Sequence, residues 1–192
     1  GYDGVQIHAA HGYLVQQFMS PRMNQRQDKY GGDLEGRMTF PRVIVRGIKA
    51  AAGADFPVLI RISADEFFPG GITLEDSKVM SRMLEDAGVD AIDVSAGVPI
   101  TITMWVETMD KGEGERAYMS EAIQKAVKIP VITVGGIRSP EAAERILAEG
   151  KADFVHLGRT LLADPDWPNK AREGRVEDIN KCTSCTYCMD RI

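Results

Sequence analysis

Five short apolar runs, each of strand length, recur along this chain with helix-like segments between them. The runs are rich in valine, isoleucine and alanine and lie at residues 4–8, 58–63, 91–95, 131–134 and 154–157. Strands that alternate with helices are typical of parallel βα units, because a parallel strand pair needs a long crossover and a helix supplies it. The pattern therefore predicts an α/β protein with a parallel sheet.

Two of the intervening segments carry signals for the start and the end of a helix. Thr73 is an expected N-cap with Asp76 three residues later, and Gly88 follows the last apolar position of that segment. Ser139 and Pro140 open the other segment, as a cap and a first-turn proline do. Helices are therefore predicted after Thr73 and after Ser139.

Five βα units suit two architectures. They match the latter part of a TIM (β/α)8 barrel, which needs about 250 residues, so that three strands would be absent from this chain. An open doubly wound sheet is the rival, and hydrophobic periodicity does not separate the two. The chain also opens without a methionine, a few residues before its first strand. We therefore expect that a segment upstream is missing.

Charge and composition narrow the classes of partner. The net charge is −5 and the isoelectric point is near 5.3, with lysine and arginine scattered along the chain. This distribution argues against nucleic acid or an anionic membrane as the main partner. No apolar run approaches the roughly 20 residues that a membrane-spanning helix needs. We therefore expect a cytoplasmic protein.

Proton-handling side chains cluster where the first predicted strand ends. His8, His11 and Tyr13 follow its apolar residues, and α/β barrels keep their chemistry at the carboxyl ends of their strands. Residues three apart on a regular strand face opposite sides, so the chain must leave the strand before His11, and Gly12 permits that turn. Both imidazoles are then expected to face the mouth of a site. The alternative is that one histidine closes the strand and Tyr13 is a packed aromatic.

The second apolar run contains a charged residue, Arg61. A fixed positive charge in a buried strand is costly unless an anionic group meets it. That group is either a bound anion or a carboxylate of the chain, for which Asp65, Glu66 and Asp93 are the candidates.

Glycines follow the fourth and fifth apolar runs. Gly135 and Gly136 come after the fourth, and Gly158 precedes Arg159 after the fifth. Glycine lets backbone N–H groups approach a phosphate, and a guanidinium adds a forked pair of donors. Barrels commonly hold a phosphate after their final two strands. The loops therefore predict a phosphate site, although a glycine pair also occurs in ordinary tight turns.

All three cysteines lie in one short run, Cys182-Thr-Ser-Cys185-Thr-Tyr-Cys188. This concentration argues against a disulfide framework and favours a metal centre, either an iron–sulfur cluster or zinc, over free thiols. A four-cysteine cluster needs a further ligand from beyond the sequence, since no fourth cysteine occurs in it.

Several motifs together resemble the Old Yellow Enzyme family of FMN-dependent ene-reductases. They are His8-Ala-Ala-His11-Gly-Tyr13, Gln17-Phe-Met-Ser-Pro21, Asn24-Gln-Arg26, Tyr30-Gly-Gly-Asp-Leu-Glu-Gly-Arg37, Arg61, Gly135 to Ile137 and Gly158 to Arg159. The cysteine run makes the chain most similar to the subgroup that contains 2,4-dienoyl-CoA reductase. The resemblance implies a TIM barrel of which residues 1–175 are the C-terminal five or so βα units, followed by residues 176–192 as the start of an iron–sulfur segment.

The same resemblance implies a role for each site residue. His8 and His11 would bind the activating group of an alkene, Tyr13 would donate the proton to its α-carbon, and reduced FMN would give hydride to its β-carbon. Arg61 would lie beside the flavin pyrimidine ring. The phosphate would be held by Gly135, Gly136, Gly158 and Arg159. Cys182, Cys185 and Cys188 would hold a 4Fe-4S cluster that passes electrons from NAD(P)H, with a possible FAD in a region outside this chain.

The resemblance leaves other functions open. The substrate would be a small activated alkene, an enone or an enoyl thioester, and a homo-oligomer is possible. One alternative is another FMN-dependent barrel, similar to dihydroorotate dehydrogenase, and a second is a truncated, non-catalytic barrel fragment. Trp105 and Met104 could line the substrate mouth or simply pack, and His156 is interpreted as a core or edge histidine.

Overall fold

Five parallel strands form the sheet of the computed structural model, which describes residues 1–191 and their side chains up to Met189. The strands are β1 (Val5–Ala9), β2 (Val58–Ser63), β3 (Ala91–Ser95), β4 (Val131–Val134) and β5 (Phe154–His156). Each pairs with the next strand in the chain, in the order β1-β2-β3-β4-β5. The five predicted strands are confirmed, with ends that differ by one residue in β1 and in β5.

The strand order argues for a barrel wall and against a doubly wound sheet. A doubly wound sheet reverses its order at a switch point and places helices on both faces, whereas this order has no reversal. Successive crossover helices also pack on one another, which places them on one side of the sheet. Every residue of the central strand β3 is buried.

Nine α-helices are present in the described part of the chain. They are α1 (Leu14–Met19), α2 (Leu34–Arg37), α3 (Thr39–Ala52), α4 (Leu74–Ala87), α5 (Ile102–Trp105), α6 (Ala117–Gln124), α7 (Pro140–Ala148), α8 (Arg159–Ala163) and α9 (Trp167–Arg172). None of these helices is long and apolar enough to cross a membrane.

Helix α4 shows how local sequence fixes an element. The Thr73 hydroxyl accepts a hydrogen bond from the Asp76 backbone N–H, and the Asp76 carboxylate accepts one from the Thr73 backbone N–H at 3.0 Å. Gly88 ends the helix in the left-handed conformation, at φ 106°. Met80 and Leu84 point into the main core with the apolar residues of β2 and β3. Both capping predictions are confirmed, since Ser139 likewise caps α7.

The carboxyl ends of the strands open into the loops that carry the predicted site residues. After β1 the backbone turns sharply, because His11 and Gly12 both adopt left-handed conformations, with φ 59° and 79°. The predicted departure from the strand before His11 is therefore confirmed.

Candidate active site

His8, His11 and Tyr13 form one cluster of rings at the carboxyl end of β1. The centroid of the His8 ring lies 5.2 Å from that of His11 and 5.1 Å from that of Tyr13. The left-handed turn at His11 produces this arrangement, since it folds the loop back over the strand end. The structure thus brings together the three side chains that were predicted to handle protons.

His11 is the buried member of the cluster, with 4% of its surface exposed. Its Nε2 is hydrogen-bonded to the Ser95 hydroxyl at 2.7 Å, and its backbone N–H donates to the Ser63 hydroxyl at 3.0 Å. The Trp105 indole stacks on its imidazole with the ring centroids 4.2 Å apart. Burial, and then the positive charge of Arg61, lower the pKa of His11 to about 3. The imidazole is therefore neutral near pH 7.

His8 and Tyr13 are the accessible members. His8 is exposed, and partial burial followed by the Arg61 charge lowers its pKa, so its imidazole is also neutral near pH 7. Tyr13 has 54% of its surface exposed. A ligand approaching this rim of the sheet therefore meets the phenol and the His8 imidazole first, with His11 behind them.

A cationic cavity lies at the carboxyl ends of β4 and β5. Four arginines and a histidine line it together with glycines of two loops, and its volume is about 160 Å³. Cofactor pockets usually measure about 300–1,000 Å³, so these residues would enclose part of a cofactor. The lining includes Arg61, Arg116, Arg138, Arg159, His156, Gly135, Gly136 and Gly158.

Arg61 has a partner within the chain and also faces this cavity. Its Nε lies 3.7 Å from Oδ2 of Asp93, the residue beside it in the β2–β3 register. Asp93 is thus the carboxylate among the three candidates that pairs with Arg61. Because Arg61 still lines the cavity, an ion pair with Asp93 and contact with a bound anion are compatible.

Asp93 connects Arg61 to His156. The carboxylate is fully buried, and its Oδ2 lies 2.8 Å from Nδ1 of His156 and accepts a hydrogen bond from Nε2 of Gln6 at 2.9 Å. His156 ends β5, the edge strand of the described sheet, and its side chain also lies in the cavity wall. Parallel packing of β3 and β5 through β4 brings these residues together.

Both the backbone conformation and the adjacent side chains require glycine at the two positions after β4. Gly135 and Gly136 have φ values of 123° and 60°, which favour glycine. A Cβ at Gly135 would overlap the Arg116 guanidinium, and a Cβ at Gly136 would overlap the Glu107 carboxylate. The absence of side chains at both positions therefore lets Arg116 and Glu107 pack against this loop, which lines the cavity.

Arg159 is anchored on one side and free on the other. Its Nη2 donates to the Glu107 carbonyl oxygen at 2.7 Å, while its Nη1 is buried and has no hydrogen-bond partner among the side chains described, those of residues 1–189, or the described backbone. The Glu107 carboxylate pairs with Nε of Arg116 at 2.8 Å, and burial still raises the pKa of Glu107. An unpartnered buried guanidinium N–H is costly, which favours an anionic ligand at Arg159.

The ring cluster and the cationic cavity lie on the same rim of the sheet. Trp105 joins them, since its indole stacks on His11 and the residue also lines the cavity with Arg159. His8 and Arg61 are direct neighbours in the β1–β2 register. The two halves of the predicted site are therefore adjacent.

The cysteine run lies against the same cavity. Cys182 is part of the lining, and Nη1 of Arg138 donates to the Ser184 hydroxyl at 3.2 Å. A hydrogen bond from the Tyr187 backbone N–H lowers the pKa of the Cys185 thiol. Among the side chains that the structure describes, no three His, Cys, Asp or Glu groups are gathered for a metal ion. The three cysteines as placed here do not form a complete ligand set.

The cavity residues fit the phosphate end of FMN. A phosphate needs N–H donors and positive charge, and the Gly135–Gly136 loop and the Arg159 guanidinium in the cavity lining can supply them. The fold and this rim together are of the kind expected for a flavin-binding protein of the parallel α/β barrel class. The chain belongs to the NADH:flavin oxidoreductase / NADH oxidase family, whose model matches residues 1–178.

Known proteins of this kind are similar over nearly the whole chain. An NADH oxidase from Thermoanaerobacter brockii is 56% identical over 184 residues, which are 96% of this chain and 28% of that protein. A 2-naphthoyl-CoA reductase bound to 2-naphthoyl-CoA superposes with a TM-score of 0.93 at 34% identity, covering 97% of this chain and 28% of that one. An old yellow enzyme homologue from Zymomonas mobilis gives a TM-score of 0.70 at 27% identity, over 91% of this chain and 47% of that one.

These comparisons confirm two predictions. The fold is that of a TIM (β/α)8 barrel, of which this chain contains five βα units, and the family is one of oxidoreductases. The chain spans less than a third of the length of the first two of these proteins.

Sequence reasoning missed the residues that connect the two halves of the site. Ser95, Glu107 and Arg116 were assigned no role, although each contacts a residue that was, and Asp93 was named only as one of three possible partners of Arg61. A signal existed for Asp93, since it is a lone acidic residue in an apolar run, as Arg61 is a lone basic one. Glu107 and Arg116 lie in a polar segment whose pattern indicates no burial.

Proposed function

We propose that the protein is an FMN-dependent ene-reductase, which reduces a carbon–carbon double bond conjugated to a carbonyl or similar group. The observation that carries this proposal is the adjacency of the His8–His11–Tyr13 cluster and the cationic cavity on one rim. One half of the site handles protons and the other suits an anionic cofactor. A small enone or enoyl thioester is the substrate class whose reduction needs both a proton donor and a flavin cofactor.

The ring cluster would bind and protonate the substrate. A neutral imidazole carries one N–H, so His8 can donate a hydrogen bond to the oxygen on which negative charge develops. Tyr13 is exposed beside it, and its hydroxyl group would donate the proton to the α-carbon of the substrate. Reduced FMN, when bound, supplies the hydride. The role of Tyr13 as proton donor rests on the resemblance to the family.

The cavity would hold the cofactor. The Gly135–Gly136 backbone, Gly158 and Arg159 would bind the phosphate, and Arg61 would lie nearer the ring system, next to His8. Three of the four guanidinium groups around this cavity pair with carboxylates of the chain, so the support for an anionic ligand comes from Arg159.

For the cysteine run we propose an iron–sulfur cluster whose ligand set is completed from outside this chain. Ser184 and Thr186, which lie between the cysteines, have left-handed backbones with φ 56° and 63°. Backbones of this kind occur in the concave N–H sites that surround phosphates and iron–sulfur clusters. Delivery of electrons from NAD(P)H by such a cluster, and the 2,4-dienoyl-CoA reductase subgroup, remain predictions. Iron and acid-labile sulfide assays on anaerobically purified full-length protein test the cluster, and zinc without sulfide would contradict it.

A reductive titration of the purified full-length protein tests the main proposal. We expect flavin absorption bands that are bleached by NADH or NADPH under nitrogen and restored by 2-cyclohexenone or crotonyl-CoA. A protein without flavin bands would favour the non-catalytic alternative. A bleached protein that oxygen restores and no unsaturated carbonyl compound restores would refute ene reduction.

His8 offers a second test of the same site. Phenols bind such sites as oxyanion mimics, so His8→Ala should weaken the affinity of the oxidised protein for a phenol ligand roughly 10- to 100-fold, the value of a charge-assisted hydrogen bond. An unchanged affinity would show that His8 does not face the bound flavin.

A further inference from the structure

His156 is a polar group of the cavity wall to which the proposed function gives no role. It ends β5, and its Nδ1 lies 2.8 Å from Oδ2 of Asp93 on β3, 63 residues away in sequence. The same oxygen accepts a hydrogen bond from Gln6 and lies 3.7 Å from Nε of Arg61. One buried carboxylate therefore holds His156 and Arg61 in fixed positions relative to each other.

The Asp93 carboxylate also decides which nitrogen of His156 is available to a ligand. A carboxylate beside a guanidinium accepts hydrogen bonds, so Nδ1 of His156 carries the hydrogen and donates it. Nε2 makes no hydrogen bond to the part of the chain that the structure describes. Because the side chain is 36% exposed and lines the cavity, Nε2 is accessible from it.

The position of His156 selects one part of the proposed cofactor. His156 directly precedes Leu157 and the Gly158–Arg159 pair that would bind the phosphate, and Asp93 ties it to Arg61 at the end proposed for the ring. In FMN the ribityl chain, with its hydroxyl groups, joins the phosphate to the ring. A hydroxyl both donates and accepts, so it can pair with Nε2 in either protonation state of the imidazole.

We propose that Nε2 of His156, oriented by Asp93, hydrogen-bonds a ribityl hydroxyl of FMN. The inference rests on the proposed function, because it requires FMN in this cavity. It makes His156 a cofactor-binding residue whose contribution depends on the ribityl chain and is independent of the phosphate.

Three flavins distinguish the contacts made to the ring, to the ribityl chain and to the phosphate. FMN has the ring, the ribityl chain and the phosphate, riboflavin lacks the phosphate, and lumiflavin lacks both. Dissociation constants are measured by fluorescence quenching with apoprotein prepared from the full-length enzyme. We expect His156→Phe to bind FMN and riboflavin roughly 3- to 10-fold more weakly, the value of one neutral hydrogen bond, and to bind lumiflavin as the wild type does.

Two further variants complete the design. Arg159→Gln is the matched control, and it should weaken FMN binding while leaving riboflavin binding unchanged. His156→Gln keeps a hydrogen-bonding end, so it should bind riboflavin more tightly than His156→Phe. If the phenylalanine variant does not fold, the flavin dissociation constants of the glutamine variant are compared with those of the wild type instead.

Each pattern of affinities has a definite meaning. Loss of FMN affinity alone in His156→Phe would place the histidine at the phosphate, and an equal loss with lumiflavin would place it at the ring. Either result overturns the inference, as do unchanged affinities or a glutamine variant as weak as the phenylalanine one. A wild-type protein that binds none of the three flavins would overturn the proposed function and this inference together.

Discussion

The burial of His11 makes a quantitative prediction about acid stability. The side chain is 4% exposed, bonded to Ser95 and covered by Trp105, and its pKa is lowered from 6.5 to about 3. In the unfolded chain the imidazole is protonated below pH 6.5, whereas in the folded protein it stays neutral until about pH 3. Folding then excludes a proton that the unfolded state binds, so the folded state loses stability as the pH falls.

The size of this effect follows from the two pKa values. A folded pKa below the unfolded one gives a stabilisation that is complete above pH 6.5 and is lost progressively between pH 6.5 and about pH 3. One pH unit in this window corresponds to about 1.36 kcal/mol. Between pH 7 and pH 5 the loss from this one residue is therefore about 2 kcal/mol.

Comparison with a variant that does not titrate isolates the contribution of His11. His11→Asn is suited to this, since His11 has φ 59° and asparagine tolerates the left-handed region better than most residues. The free energy of unfolding in urea is measured for both proteins at pH 7 and pH 5. We expect the wild type to lose about 2 kcal/mol more than the variant over this interval.

The other titrating groups, including His8, are present in both proteins and largely cancel. An equal loss of stability in wild type and variant would refute the reasoning, because it would mean that His11 accepts a proton in the folded state. Imidazole NMR shifts of His11 that change near pH 6 would demonstrate that protonation directly.

Three more perturbations test other parts of the structure. Tyr13→Phe should slow reoxidation of the reduced enzyme by an alkene about 100-fold or more in stopped-flow experiments and leave reduction by NAD(P)H unchanged. Tyr2→Phe is the control, because Tyr2 is a phenol that is 90% exposed. Equal loss in both half-reactions would contradict the proton-donor role. Gly136→Ala introduces a Cβ that overlaps Glu107 at φ 60°, so it should lower the ratio of bound flavin to protein, and a normal ratio would show that the loop adapts. Thr73→Ala removes the α4 cap and should lower the free energy of unfolding, measured in urea, by about 1 kcal/mol without changing the flavin content. No change in stability would mean that packing alone holds the helix end.

Features whose cause is local were predictable. The capping box at Thr73 and the cap at Ser139 depend on residues within one helical turn, and both formed as predicted. The turn at His11 and Gly12 followed from the strand period, which places residues three apart on opposite faces. The rings of His8 and His11 consequently meet.

Features that depend on register were not predictable in the same way. The sequence left three carboxylates open as partners of Arg61, and the parallel register of β2 and β3 selected Asp93. The sequence did not indicate the partner of His156 for the same reason, because Asp93 lies 63 residues earlier, two strands away. The sequence left open whether Trp105 lines the substrate mouth or packs, and its stacking on His11 is a contact between α5 and the loop after β1.

The sequence by itself determined the five βα units, the helix caps and the residue types that gather at the strand ends, since hydrophobic period and capping chemistry act within a few residues. The tertiary structure alone decided the strand order, the Arg61–Asp93–His156 connection and the placement of the ring cluster beside the cationic cavity. These depend on which strands lie side by side and in what register. That choice is made by burying the whole sheet, and no short stretch of sequence encodes it.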